Sequence, residues 1–509
     1  MERQQHWCRA RVMALRGAWL AAGLALAAGA AQANNIRVAN VTLKHTDKKS
    51  GTVAVQFNLS WENSWRDAWV ETNTGYGDAA VSNWDAAWVF IKWRNAGTNW
   101  NHARLAAAGH TAPDGVAIDL GGNGGATNVG AFIHRAANGS GALNLSGVQL
   151  RWNYAAAGLA LTNVIDISVH AIEMVYIPQG PFWLGSGAAP ATPGESGSFT
   201  EGAWTSGATI PFRVASEAAL TISNAAGCLW GTSASGNNTI GPAGVLSNAF
   251  PKGYKAFYCM KYEVTQGQYT EFLNRLSASQ AAARFIGNTG TYRQTIGTNA
   301  AGVYTNGAPD YSLHFMSYAD GAAYADWAGL RPMTELEFEK ACRGPKAPVA
   351  NEMAWGDATV RYITSIAGTD GSGTETALPT NANYNYQVPL GPVRAGIYAT
   401  ANSTRAKAGA GYYGVMELSS IGYEPAVTVG NATGRAFEGT HGDGILDAGG
   451  NADALSWPAA NGTGAGRRGG AWDTSIWANN IYTSSRTMAS QTYAARWYMN
   501  GARAVRTAP

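Results

Sequence analysis

From Asn34 to Ile172 no stretch repeats its apolar positions three and four residues apart, and this missing helical period constrains the fold more than any other feature. The run "TVAVQFNLSW" puts Val53, Val55, Phe57 and Leu59 on one face, the alternation of a half-buried strand. "AWVFIKWR" is apolar on both faces until Arg94, as a strand covered on both sides requires. "NLSGVQLRWNYA" and "VIDISVHAIEMVYIP" supply later strands, with glycine-rich joints such as "GGNGGATNVG" between them. The expectation is an all-β, sandwich-like domain over residues 34–172. Trp61, Trp65, Trp69, Trp84, Trp88 and Trp93 would suit a carbohydrate-stacking platform, but core and cross-strand packing is the commoner use of such residues.

The first 33 residues read as a secretory signal. Arg3, Arg9, Arg11 and Arg16 precede the apolar run "AWLAAGLALAAGAA", and "AQA" at Ala31–Ala33 supplies the small-residue cleavage pattern. That run is too short to span a bilayer, and no later stretch reaches about 20 apolar residues, so a secreted, non-membrane-spanning protein is expected, in the periplasm, at the cell surface or outside the cell. Removing four arginines and one glutamate from 36 basic and 33 acidic residues leaves 32 of each. A chain with no net charge and no basic stripe is not expected to bind nucleic acid.

After Glu173 the character changes to α+β. "EVTQGQYTEFLNRLSA" spaces Tyr269, Phe272, Leu273 and Leu276 for a helix, and "SYADGAAYADWAGL" does the same with Tyr318, Ala322, Ala325 and Trp327. "TELEFEKACRG" opens on the capping box Thr334-x-x-Glu337 and stops at Arg-Gly. Between these helices lie many loops and short strands, over residues 173–509. Three cysteines remain after cleavage, Cys228, Cys259 and Cys342, and the odd count predicts one bridge and one leftover thiol. A Cys259–Cys342 bridge is expected; closing so long a loop would contribute about 4 kcal/mol in the chain-entropy model. The histidines are scattered and form no zinc spacing, and the acidic loop "HGDGILDAGGNAD" (residues 441–453) lacks the order of an EF-hand and reads as a solvated turn.

The segments "MVYIPQGPFWLGS", "FYCMKYEVTQGQYTEFLN", "LRPMTELEFEKACRG", "RRGGAW" and "GARAVRTAP" occur in the order found in the formylglycine-generating enzyme, or sulfatase-modifying factor, family, which residues 173–509 therefore resemble. The resemblance implies a loop-rich C-type lectin-like fold and an oxidase that holds copper(I) between two cysteines. Soft thiolates suit that ion, but the two matching positions here hold Thr474 and Asn479, so neither copper nor a catalytic residue is expected. The iron-dependent branch of the family takes its ligands from a helical domain with clustered histidines, and the N-terminal domain here offers none. The resemblance also implies a structural Ca²⁺ site in "ELSSIGYE", with the carboxylates of Glu417 and Glu424 and the carbonyls of Ser420 and Gly422 as ligands.

Without thiols, the segment after "RRGGAW" still occupies the place where the family meets its substrate. Trp472, Asp473, Thr474, Trp477, Asn479, Asn480 and Tyr482, with Trp497, Tyr498 and Asn500, combine rigid aromatics with small polar groups, the mixture of adaptable recognition loops. Some proteins with this fold are variable products of diversity-generating retroelements, which rewrite a C-terminal cassette of this composition. The expectation is an exported, non-catalytic protein that binds a protein or glycan ligand through this surface. The alternatives are a diverged oxidase acting on a protein cysteine and a structural cell-envelope protein.

Overall fold

The computed structural model describes residues 35–509 except 123–127, 161, 188–196, 234–235, 288–289, 378–379, 386–388, 401 and 474–479, together with the backbone of Ala10 and Arg11. The rest of the segment expected to be a secretory signal lies outside the described residues. Strand accounts for 34% and helix for 11%, which places the chain in the α+β class. It divides into two compact units, the first holding residues up to 66 and 84–173 and the second holding 67–83 and 174–508.

Antiparallel pairs build the first unit. Thr52–Glu71 pairs on one side with Arg37–Asp47 and on the other with Gly139–Asn153, while Asn128–Arg135 lies between Ala79–Asn95 and Val116–Gly122. Both sets of strands turn residues into one core. Val53, Val55, Phe57, Leu59 and Trp61 meet Ala87, Val89, Ile91 and Trp93 there, joined by Leu150 and Trp152. The alternating positions of "TVAVQFNLSW" are thus the buried ones, as period-two patterning requires. Trp61, Trp84, Trp88 and Trp93 are buried and Trp65 and Trp69 half-buried, so the tryptophans serve packing. Trp61 donates its indole N–H to the buried Asp85 (2.7 Å), which also takes the Ser64 hydroxyl (2.8 Å). Gly130 is required where it stands, because a Cβ would lie 2.7 Å from the Trp88 ring.

In the second unit a small antiparallel sheet runs in the order Arg331–Pro332, Ala504–Thr507, Phe257–Met260 and the end of Ile165–Ile177. The three helices read from sequence form as α1 (Gln266–Leu273), α3 (Tyr318–Trp327) and α4 (Glu335–Arg343), with Thr334 and Glu337 making the capping box that opens α4. Short α2 (Ala278–Arg284), α5 (Arg405–Ala408) and α6 (Ala432–Arg435) had no comparable apolar period to announce them. Glu424–Val427 pairs antiparallel with Ala465–Arg468, which delivers the C-terminal segment to the candidate site.

The bridge expected between Cys259 and Cys342 is not formed: both, and Cys228, are free thiols. Cys259 sits inside its strand between the ladder partners Val175 and Val505, whereas Cys342 lies in the last turn of α4. Loop length sets what a bridge would contribute, not whether two Cα atoms come within about 6 Å of each other.

Candidate functional site

The segment Arg468–Arg486 is held at both ends by one side chain of α4. Arg468 donates to Glu335 Oε2 (3.1 Å) and to Glu339 Oε1 (2.7 Å), and Arg486 grips both Glu335 oxygens (2.7 and 3.0 Å). Glu335 also accepts from the Val429 N–H (2.8 Å). Burial alone would raise its carboxyl, but Arg486 and Arg468 outweigh burial and hold it below the usual value. Just inside the first anchor, Gly469 (φ 90°) and Gly470 (φ 75°) turn the chain in the left-handed region, and a Cβ on Gly469 would meet the Leu418 carbonyl at 2.5 Å. The Trp472 N–H then bonds the Ile421 carbonyl (2.9 Å), and the Thr483 N–H bonds that of Glu352 (2.9 Å).

An aromatic cluster forms on this base. The Trp472 ring lies 4.9 Å from Tyr292 and 5.7 Å from Tyr498, and those two are 5.0 Å apart. Phe315 borders Tyr292 and Tyr498, and Trp497 meets Tyr498 edge-on at 5.6 Å while stacking on Tyr423. The Tyr498 hydroxyl donates to Asp473 Oδ2 (2.7 Å), and Asn480 donates its amide to the Tyr423 hydroxyl (2.7 Å). Tyr292, Arg293 and Phe315 all have left-handed backbone, with φ of 45°, 65° and 63°. Such residues persist only where surrounding bonds over-determine them. Here Asp370 clamps the Arg293 guanidinium at 2.5 and 2.6 Å, and the Pro392 carbonyl accepts its Nε–H.

Beneath the cluster, the Trp472 indole N–H donates to His314 Nδ1 (3.2 Å), and His314 Nε2 lies 3.5 Å from Glu263 Oε2. Burial pushes His314 down to about 3 and Glu263 up to about 8, so at neutral pH the imidazole and the carboxyl are both uncharged.

Of the expected recognition residues, the structure brings together Trp472, Asp473, Asn480, Trp497 and Tyr498. Trp472 and Asn500 are corrected from surface to core: both are 0% exposed, and Asn500 donates to the Met316 carbonyl. Tyr482 packs against a separate group around Met353 and Trp355. Thr474, Trp477 and Asn479 lie outside the described residues. Sequence reasoning missed Tyr292, Phe315 and Tyr423, whose part depends on backbone conformations and contacts that no motif encodes.

Of the expected calcium ligands, Glu424 is taken up by an arginine, whereas Glu417 keeps one buried oxygen, Oε2, without a hydrogen-bond partner among the described residues. Arg503 donates to both Glu424 oxygens (2.9 and 2.9 Å from Nε, 2.7 Å from Nη2), Glu417 Oε1 takes the Gly396 N–H (2.6 Å), and the Ser420 carbonyl takes the Gly422 N–H (3.0 Å). A fixed guanidinium at Glu424 repels Ca²⁺ and occupies the oxygens it would need. Burial pushes the Cys259 thiol up to about 12 and raises Cys342 as well, so both sulfurs sit in the core as thiols. Carboxylate oxygens of Asp326, Asp443 and Asp453 lie within 4.8 Å of one another, where the loop 441–453 docks on α3. Two loop N–H groups, of Asp443 and Asp453, bond the Asp326 carboxylate (3.0 Å each), which secures the loop.

Residues 234–415 match the family described as the Sulfatase-modifying factor enzyme 1-like domain, so the chain carries a domain of this type. The matched segment includes Tyr292 and Phe315 but ends before Trp472 and Tyr498. No curated protein matches the chain.

Proposed function

On a domain of the sulfatase-modifying factor type, we propose an exported, non-catalytic binding protein whose C-type lectin-like fold presents the surface around Tyr292, Asp473, Trp497 and Tyr498. One observation carries this reading. Arg468 and Arg486, at the two ends of a polar and aromatic segment, are fixed to the same buried carboxylate, Glu335. A segment so anchored presents side chains from a rigid base, which is the arrangement that favours recognition because less order must be gained on binding. The rings supply contact area with few rotatable bonds, and Asp473 supplies polarity.

Alanine at Tyr292 or Tyr498 should weaken ligand capture at least tenfold while thermal unfolding still shows a folded chain; unchanged capture in both variants would sink the reading. The family match keeps a diverged oxidase as the second reading. Copper-dependent oxygen consumption with a cysteine peptide would establish it, and would displace the binding role. A retroelement origin for the C-terminal segment is proposed on its composition. It requires a reverse-transcriptase gene and an adenine-differing near-copy of the segment in the flanking DNA.

A further inference from the structure

Resting on the binding role just proposed, we infer that this surface takes a guanidinium group, the side chain of an arginine presented by a protein partner. A guanidinium needs a flat, electron-rich face to stack on and a carboxylate oxygen for its N–H groups. Tyr292, Trp497 and Tyr498 are half-buried rings, and Asp473 is a half-buried carboxylate joined to Tyr498. Its Oδ2 takes the tyrosine hydroxyl, and among the described residues no donor reaches Oδ1.

Two basic groups near the cluster are already neutralised, while a third, Arg467, bonds only the Gln491 amide oxygen (3.2 Å) among the described residues. Arg293 is clamped by Asp370, and Arg496, next to Trp497 in the chain, is held by Asp320 at 2.8 and 2.9 Å. Asp473 has no such partner among the described residues, which leaves its Oδ1 beside the half-buried rings. The same cluster shows the stacking geometry once already: the Arg467 guanidinium lies 4.7 Å over the Trp497 ring and 4.9 Å over that of Tyr493. A sugar is served less well. Recognition of its hydroxyls needs several outward donors and acceptors, and Asn480 donates its amide N–H to Tyr423 and is 5% exposed.

The test is a titration of the folded mature chain with Nα-acetyl-arginine amide and with Nα-acetyl-citrulline amide, which has nearly the same shape without the charge. Saturable arginine binding at least tenfold tighter than citrulline is expected. Asp473→Asn should bring arginine down to the citrulline level at an unchanged melting temperature, and Asp473→Glu should keep most of the preference. Equal binding of the two amides, no saturable binding of either, or an Asp473→Asn variant that keeps the preference would overturn the inference. A neutral maltohexaose that saturates the surface and is lost in Tyr498→Ala would overturn the guanidinium while leaving the binding role intact. If neither amide, nor the hexaose, nor any captured ligand responds to Tyr292→Ala and Tyr498→Ala, both fall together.

Discussion

Two sets of buried glutamates in the second unit have opposite fates. Around α4, Glu335, Glu339 and Glu352 face Arg468, Arg486 and Arg343, so acids and bases are equal in number. Around the "ELSSIGYE" stretch, Arg503 contacts Glu424 alone and acts on Glu263 and Glu417 only through space, as Arg394 does on Glu417. Glu335 is held low, whereas burial pushes Glu263 and Glu417 up to about 8 and Glu424 up to about 7. Residue type and depth are alike in the two places. Glu335, gripped by two arginines, is held low; Glu424, gripped by one, is raised less than Glu263 and Glu417, which no arginine contacts among the described residues.

The sharpest way to break this contrast is to unbalance the first set. Arg486→Met or Glu335→Gln leaves an uncompensated buried charge and should cost about 3–5 kcal/mol in urea unfolding. A loss below about 1 kcal/mol would mean that water reaches the network.

The second set predicts a pH slope. A carboxyl raised in the folded chain favours folding while it is protonated in both states, below its ordinary value of 4.5. That advantage is lost as pH climbs toward 8, because the unfolded chain ionises first. Each of the two carboxyls, Glu263 and Glu417, should therefore withdraw about 2–4 kcal/mol of stability between pH 5 and 8. Glu263→Gln and Glu417→Gln should each flatten the slope and be more stable than the parent at pH 8; a slope unchanged in both variants would show that other groups carry it.

Trp472→Phe keeps a ring but removes the donor to His314, at a cost of about 1–3 kcal/mol for the unpaired nitrogen. Asp370→Asn, at an ion pair whose carboxylate side chain is 42% exposed, should cost under about 1 kcal/mol, with a larger effect on ligand capture than on stability if the pair serves to position Tyr292.

The strands of the first unit and three helices of the second were legible because burial imposes periods of 2 and 3.6 on the chain, and "TVAVQFNLSW" and "TELEFEKACRG" obey them. The candidate site was legible only in part. Composition picked out Asp473, Trp497 and Tyr498, but Trp472 and Asn500 are as polar-aromatic as their neighbours and turn inward. Tyr292 and Phe315 stand in left-handed backbone, which ordinary residues adopt only when tertiary contacts compel it. Glu335 lies in the first turn of α4, where any acid complements the helix dipole. Its use as a common anchor depends on two arginines more than a hundred residues away in the chain.

The thiols of Cys228, Cys259 and Cys342 remain separate. Among the described residues, native packing is therefore reached without any sulfur–sulfur bond, and no electron acceptor has a step to perform on these three thiols.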